Sequence, residues 1–261
     1  MSLNDIKKPT TADEELFLTS MTDTIAHYHN SLRKIESQYK RIGCEKLSFP
    51  CYFNFRDALF HYDKAYTAQE VTALHCEQYA MHEHLHRAVK DGCIGFLQIV
   101  NRRLDVLYQY KFDSARIEEL TKAASKIAVR VGKSMSDIQR NDDFAELNTV
   151  LRKDRVSAVD YNVIFEYVFC ARFGDDTAAF KKEVQKIFHE LRNLELEYRS
   201  RSMQIVRPFA NESDRSDKPT PFDTFWEQCN AQIDAIENSR FFDYFMSAAL
   251  LDEISAQSAS G

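Results

Sequence analysis

Two short runs in this chain hold residues that can do chemistry. The first is Arg56-Asp57-Ala58-Leu59-Phe60-His61. Histidine titrates near neutral pH and can take or give a proton. Arginine offers a planar fork of N–H donors that matches two phosphate oxygens. Asp57 stands four residues before His61, one helical turn away, where a carboxylate can accept an imidazole N–H and orient the ring. Cleavage of RNA by its own ribose 2′-hydroxyl asks for a base to take the hydroxyl proton and a cation to hold the phosphate. Arg56, Asp57 and His61 supply these parts without a metal, and no cofactor is expected.

The second run, His82-Glu83-His84-Leu85-His86, spells H-E-x-x-H. On a helix, His82 and His86 lie one turn apart and can share a zinc ion, with Glu83 activating a bound water. His75 is on the same face but two turns away, ~10 Å along the axis, which is far for a common ion. Arg87 and Lys90 flank the motif, and none of the familiar third-ligand motifs follows downstream. A zinc peptidase also tends to hold its substrate along an edge strand, and the pattern of this chain offers none. The expectation is that no metal is required; His82, Glu83 and His86 remain the alternative set, for a zinc-dependent hydrolase. A third feature is a basic stripe, Lys122, Lys126, Arg130 and Lys133, at helical spacing. It can track phosphates or serve as a solvated face. A further cluster, Arg192, Arg199, Arg201 and Arg207, has the same two readings.

These residues are read on helices. The chain has 261 residues with only six glycines and five prolines, and no proline between Cys51 and Arg207. A β-rich chain needs a turn signal about every 8–12 residues, and this one lacks them. Leu16, Met21, Ile25, Tyr28, Leu32, Ile35 and Tyr39 form one helical face ending at Gly43. Pro50 then marks a turn, and a short helix over 54–66 carries the Arg56–His61 run. Thr67 is read as the cap of a long helix from Ala68 toward Tyr110, with Val71, Leu74, Gln78, Met81, Leu85, Ala88, Gly92 and Gly95 along its seam. Its two glycines suit close helix packing. Asp113 and Ser114 open a helix to about Arg140, 144–151 is a candidate short helix, and Asp160–Phe173 ends at Gly174. Asp175-Asp176-Thr177 then caps a helix to about Ser202.

The Arg-polar-x-x-x-His run in an all-helical chain resembles the signature of the HEPN superfamily. Six residues and the helical background carry that resemblance. It implies an all-α helical bundle that dimerises, belongs to prokaryotic toxin–antitoxin, antiviral-defence or CRISPR-associated systems, and acts as a metal-independent ribonuclease or binds nucleotide or a partner. Carried onto this chain, Arg56 and His61 would be catalytic and Asp57 would support them. The expected organisation is a helical bundle over 1–206, a linker over 207–221 rich in Pro, Ser and Asp, and an aromatic-rich helical appendage over 222–261. Phe222, Phe225, Trp226, Phe241, Phe242, Tyr244 and Phe245 must be covered by the chain's own body or by a partner.

The net charge of −6 places any nucleic-acid site in a local patch. No run reaches the ~18 apolar residues of a membrane span. The polar start and six cysteines without a C-x-x-C pair fit a cytoplasmic protein with reduced thiols. The expected partners are RNA or nucleotide, a homodimer or another protein, and no membrane. A non-catalytic helical adaptor is the alternative function.

Overall fold

The computed structural model describes residues 12–44, 49–139, 149, 156–200 and 221–247, and the fold is all-α. Among these residues there is no strand, and no helix is long and apolar enough to cross a membrane. The helices are α1 (Ala12–Arg41), α2 (Phe49–Thr67), α3 (Val71–Gln109), α4 (Ser114–Arg130), α5 (Met135–Gln139), α6 (Ala158–Phe173), α7 (Thr177–Ser200), α8 (Pro221–Glu237) and α9 (Phe242–Met246). The candidate short helix at 144–151 lies outside the described residues apart from Thr149, and so does the linker before Pro221.

The helix ends follow local chemistry, in places differently from the sequence reading. Gly43 has φ 70°, and Cys44 N–H donates to the Tyr39 carbonyl, which closes α1 as expected. Pro50 sits inside the first turn of α2 instead of in a turn before it, because a missing N–H costs nothing there. Thr67 closes α2, its hydroxyl donating to the carbonyls of Asp63 and Lys64, and α3 starts at Val71. The helix expected to reach Arg140 stops at Arg130. Gly132 takes φ 69°, and Lys133 N–H donates back to the Ala128 carbonyl. Ser134 then accepts from Asp137 N–H and begins α5. Lys133 therefore lies past the turn, off the helical stripe of Lys122, Lys126 and Arg130.

The chain forms two compact units, one of residues 1–100 and 191–231, the other of 101–190 and 232–261. In the first, α1 buries Met21, Tyr28, Leu32, Ile35 and Tyr39 at three-, four- and seven-residue spacing. Tyr39 Oη donates to the Gly92 carbonyl, and a methyl group on Gly92 would sit 3.4 Å from Ile35 Cδ1 and 3.5 Å from Cys51 Sγ. The helices approach closely at that glycine. The start of α8 completes this core: Phe225 stacks on Tyr198 with ring centres 4.4 Å apart, and Trp226 lies against Phe222 and Phe96.

In the second unit α4 packs on α6. Phe169, Phe173, Phe180 and Tyr244 form a buried aromatic cluster, with Phe173 and Phe180 4.5 Å apart and Phe169 and Tyr244 4.9 Å apart. Such pairs add about 0.5–1.5 kcal/mol each beyond area burial. The aromatics of Phe222–Phe245 are thus largely buried within the chain, Phe222, Phe225, Trp226, Phe241, Tyr244 and Phe245 among them.

Candidate active site

In the first unit a polar seam runs between α2 and α3, which are joined by only three residues and pair as a helical hairpin. Asn54, Asp57 and His61 fall on one face of α2 at steps of three and four. Glu77, His84 and Asp91 fall on one face of α3 at steps of seven, two helical turns each. The hydrogen bonds show the two rows meeting. His61 Nδ1 lies 2.6 Å from Glu77 Oε2. His84 Nδ1 lies 3.2 Å from Asn54 Oδ1, and Asn54 Nδ2 donates to Asp91 Oδ2 at 2.9 Å and to the Pro50 carbonyl at 3.1 Å. Between these bonds the rings of His61 and His84 stack, 5.2 Å apart and 17° from parallel.

The seam is half-buried; the side chains of His61 and Glu77 keep 21% and 25% of their exposure. Arg56 stands at its edge with 69% of its side chain exposed, over the ring of Phe53 at 5.1 Å. The geometry gives Asp57 a different partner from the one read in the sequence. Arg56 Nε and Nη2 donate to Asp57 Oδ1 at 3.0 and 2.8 Å, and these bonds hold the Asp57 carboxyl below its ordinary pKa. It is Glu77 that bonds the His61 ring. Burial, followed by the neighbouring charge of His61, keeps the His84 pKa below the usual histidine range.

The H-E-x-x-H run divides between two surroundings. His82 Nε2 lies 3.1 Å from Tyr28 Oη, and the two rings meet edge to face. Burial lowers the pKa of both His82 and His86 and pushes the Tyr28 phenol up. Glu83 is 3.8 Å from Arg87, and His75 is exposed. Among the described residues no group of three or more His, Cys, Asp or Glu side chains is arranged to hold a metal ion. His84, a variable position of that motif, is the histidine that reaches α2.

The basic stripe lies in the second unit. Lys122 donates to Glu118 at 2.6 Å, Arg130 pairs with Asp160, and Lys126 and Lys133 are exposed. This unit also contains a charged cluster not anticipated from the sequence. Glu166 is 1% exposed; its Oε1 accepts from Tyr110 Oη at 2.8 Å and from Arg116 Nε at 3.2 Å, and its Oε2 from Arg116 Nη2 at 2.6 Å. Tyr110 Oη also touches Cys170 Sγ at 3.2 Å, and burial raises that thiol to about 11. An acid amid Ile164, Phe165, Tyr167 and Val168 was the available signal, because a charge inside such a run needs a partner.

Glu77, His84, Asn54 and Asp91 were also missed. Their seven-residue and three-to-four-residue spacings were present in the sequence, but they become one site only once α2 and α3 are paired. Comparison with known proteins finds no matching family model, no matching curated protein and no matching solved structure.

Proposed function

We propose that the α2–α3 seam binds RNA or nucleotide and cleaves RNA without a metal ion, as a HEPN-like protein of a prokaryotic defence or toxin system. The observation that carries this reading is the His61–Glu77 bond of 2.6 Å beside the exposed guanidinium of Arg56. A carboxylate on Nδ1 fixes the ring and leaves Nε2 for proton transfer. Arg56 is held by Asp57 on the protein surface, and a phosphate arriving there can exchange with that carboxylate. In this reading His61 carries a proton, Arg56 holds the phosphate, Glu77 orients His61 and Asp57 keeps Arg56 in place.

The test is purified protein with end-labelled RNA in EDTA. Cleavage should persist, leave a 2′,3′-cyclic phosphate, stop in His61→Ala and weaken in Arg56→Ala together with RNA affinity. Cleavage that survives His61→Ala, or that stops in EDTA, contradicts the reading.

A second reading, a non-catalytic adaptor or homodimer, is favoured by one observation. The outer side of α2 exposes Tyr52, Phe53, Leu59 and Phe60, with Phe60 at 56%. Large apolar side chains grouped on a surface mark interaction sites. Sedimentation of the wild type beside a Phe53→Ser/Phe60→Ser variant tests it. An unchanged monomer in both would remove self-association through this face.

A further inference from the structure

The seam holds a second histidine whose chemistry is fixed by its neighbours. Asn54 Nδ2 is committed as a donor twice, to the Pro50 carbonyl and to Asp91 Oδ2. Turning the amide over would set Oδ1 against two acceptors, so Oδ1 faces His84. The atom of His84 beside Oδ1 is Nδ1, which must then carry a hydrogen to donate. Neutral His84 has its lone pair on Nε2. On the other side of the stack, the Glu77 carboxylate only accepts, so His61 Nδ1 donates as well.

We propose that His61 and His84 work as one proton-exchange pair, each imidazole anchored through Nδ1 and each left with Nε2 for a bound substrate, with Glu77 and Asn54 as positioning residues. The proposal rests on the RNA-cleavage reading for its substrate and on the stacked geometry for the pair itself.

The roles follow from the surroundings. Burial, then the neighbouring His61, lowers the His84 pKa, while His61 Nδ1 lies 2.6 Å from a carboxylate. The groups facing the pair are Asp57 and Asn54 from α2 and Glu77, Glu83 and Arg87 from α3, with Asp91 acting on His84 through Asn54. His84 Nε2 takes the proton of the ribose 2′-hydroxyl as that oxygen bonds to phosphorus. The bond from phosphorus to the 5′-oxygen breaks, and His61 Nε2–H supplies the proton to that leaving oxygen. One proton is taken and one given, so the products are a 2′,3′-cyclic phosphate and a free 5′-hydroxyl. Exchange with water resets the two rings. A stack 5.2 Å deep provides one imidazole for each of the two oxygens that lie on opposite sides of phosphorus.

Two measurements on the full chain test this. The first is the pH dependence of kcat/KM on a short oligoribonucleotide. The wild type should give a bell. His84→Ala should lose the acid limb and fall on the order of 10²- to 10⁴-fold, the range of general acid–base catalysis. Asn54→Ala should fall less, because it removes the acceptor of His84 Nδ1–H and no proton carrier. The second is nitrogen-15 NMR of the histidine side chains. His84 should be the Nδ1–H tautomer when neutral, and its titration midpoint should rise toward the ordinary histidine value in His61→Ala.

Full activity of a folded His84→Ala with an unchanged pH profile overturns the pairing. So does an Nε2–H tautomer, or a His84 titration indifferent to His61. A wild type that cleaves no RNA while His84 shows the predicted tautomer and coupling overturns the RNA reading and supports the pair.

Discussion

The two polar clusters of the molecule use similar groups to opposite ends. In the second unit Glu166, Arg116 and Tyr110 form a closed set: both carboxylate oxygens are occupied, and the acid is 1% exposed. In the first unit the α2–α3 seam is half-open. His61 and His84 are each held through one ring nitrogen, and Arg56 stands in solvent with a carboxylate that can be exchanged. Buried charge alone does not mark a site of chemistry. The Glu166 cluster is costly to build and costly to break, and it has no unsatisfied atom to offer a substrate. The histidine seam has anchored groups with reactive atoms left over, which is the arrangement proton transfer needs.

Breaking the closed set should have the largest effect. Arg116→Ala leaves Glu166 buried without its cation, and loss of one partner of a buried pair costs about 3–5 kcal/mol. Thermal melting should show a large fall in Tm. Arg116→Lys should recover part of it, because an ammonium replaces the charge but not the two-point fork. A melting temperature unchanged in Arg116→Ala would mean that Glu166 is not held as a charge.

The open seam should respond in activity more than in stability. Glu77→Gln weakens the hold on His61 and should lower kcat roughly 10–100-fold, part of the 10²–10⁴ available from acid–base catalysis. Asp57→Ala should cost less than Glu77→Gln and leave Tm unchanged, since Asp57 bonds Arg56 at the surface and not the His61 ring. The reverse order in a rate assay would return the orienting role to Asp57.

Mild acid should separate the two units. His82, His84 and His86 have folded pKa values below the ordinary histidine value of about 6.5, each first because of burial. A histidine depressed in the folded state binds fewer protons there than when unfolded. Its stabilising share is therefore present above about 6.5 and lost as pH falls through the folded value. Tyr110, Arg116 and Cys170 are all shifted upward and do not titrate in this range. Trp226 is the only tryptophan in the chain and belongs to the first unit. Its fluorescence melt should move to lower temperature between pH 7 and pH 5, and a melt independent of pH would contradict the burial of these rings.

Much of the fold was legible because helix signals are local. The seven-residue and shorter spacings of Met21, Tyr28, Leu32, Ile35 and Tyr39, and the glycine after them, specify α1 with little outside help. The misplaced ends arose where one residue type has two uses. Thr67 can open a helix or close one, Pro50 can precede a helix or start it, and Gly132 stands inside a basic run of helical spacing. The site was legible by halves. Arg56, Asp57 and His61 stand close in sequence, whereas Glu77 and His84 join them only through the pairing of two helices. The H-E-x-x-H spelling points to His82 and His86, of which His82 meets Tyr28 of α1. The histidine between them, pointing a different way around the helix, is the one that meets α2.

The most direct test of the contrast is one RNA-cleavage assay in EDTA run beside one thermal melt, on wild type, His61→Ala and Arg116→Ala. The account predicts that His61→Ala abolishes cleavage with Tm nearly unchanged, and that Arg116→Ala lowers Tm strongly while the folded fraction cleaves at the wild-type rate. Cleavage retained by His61→Ala, or lost in folded Arg116→Ala, would contradict it.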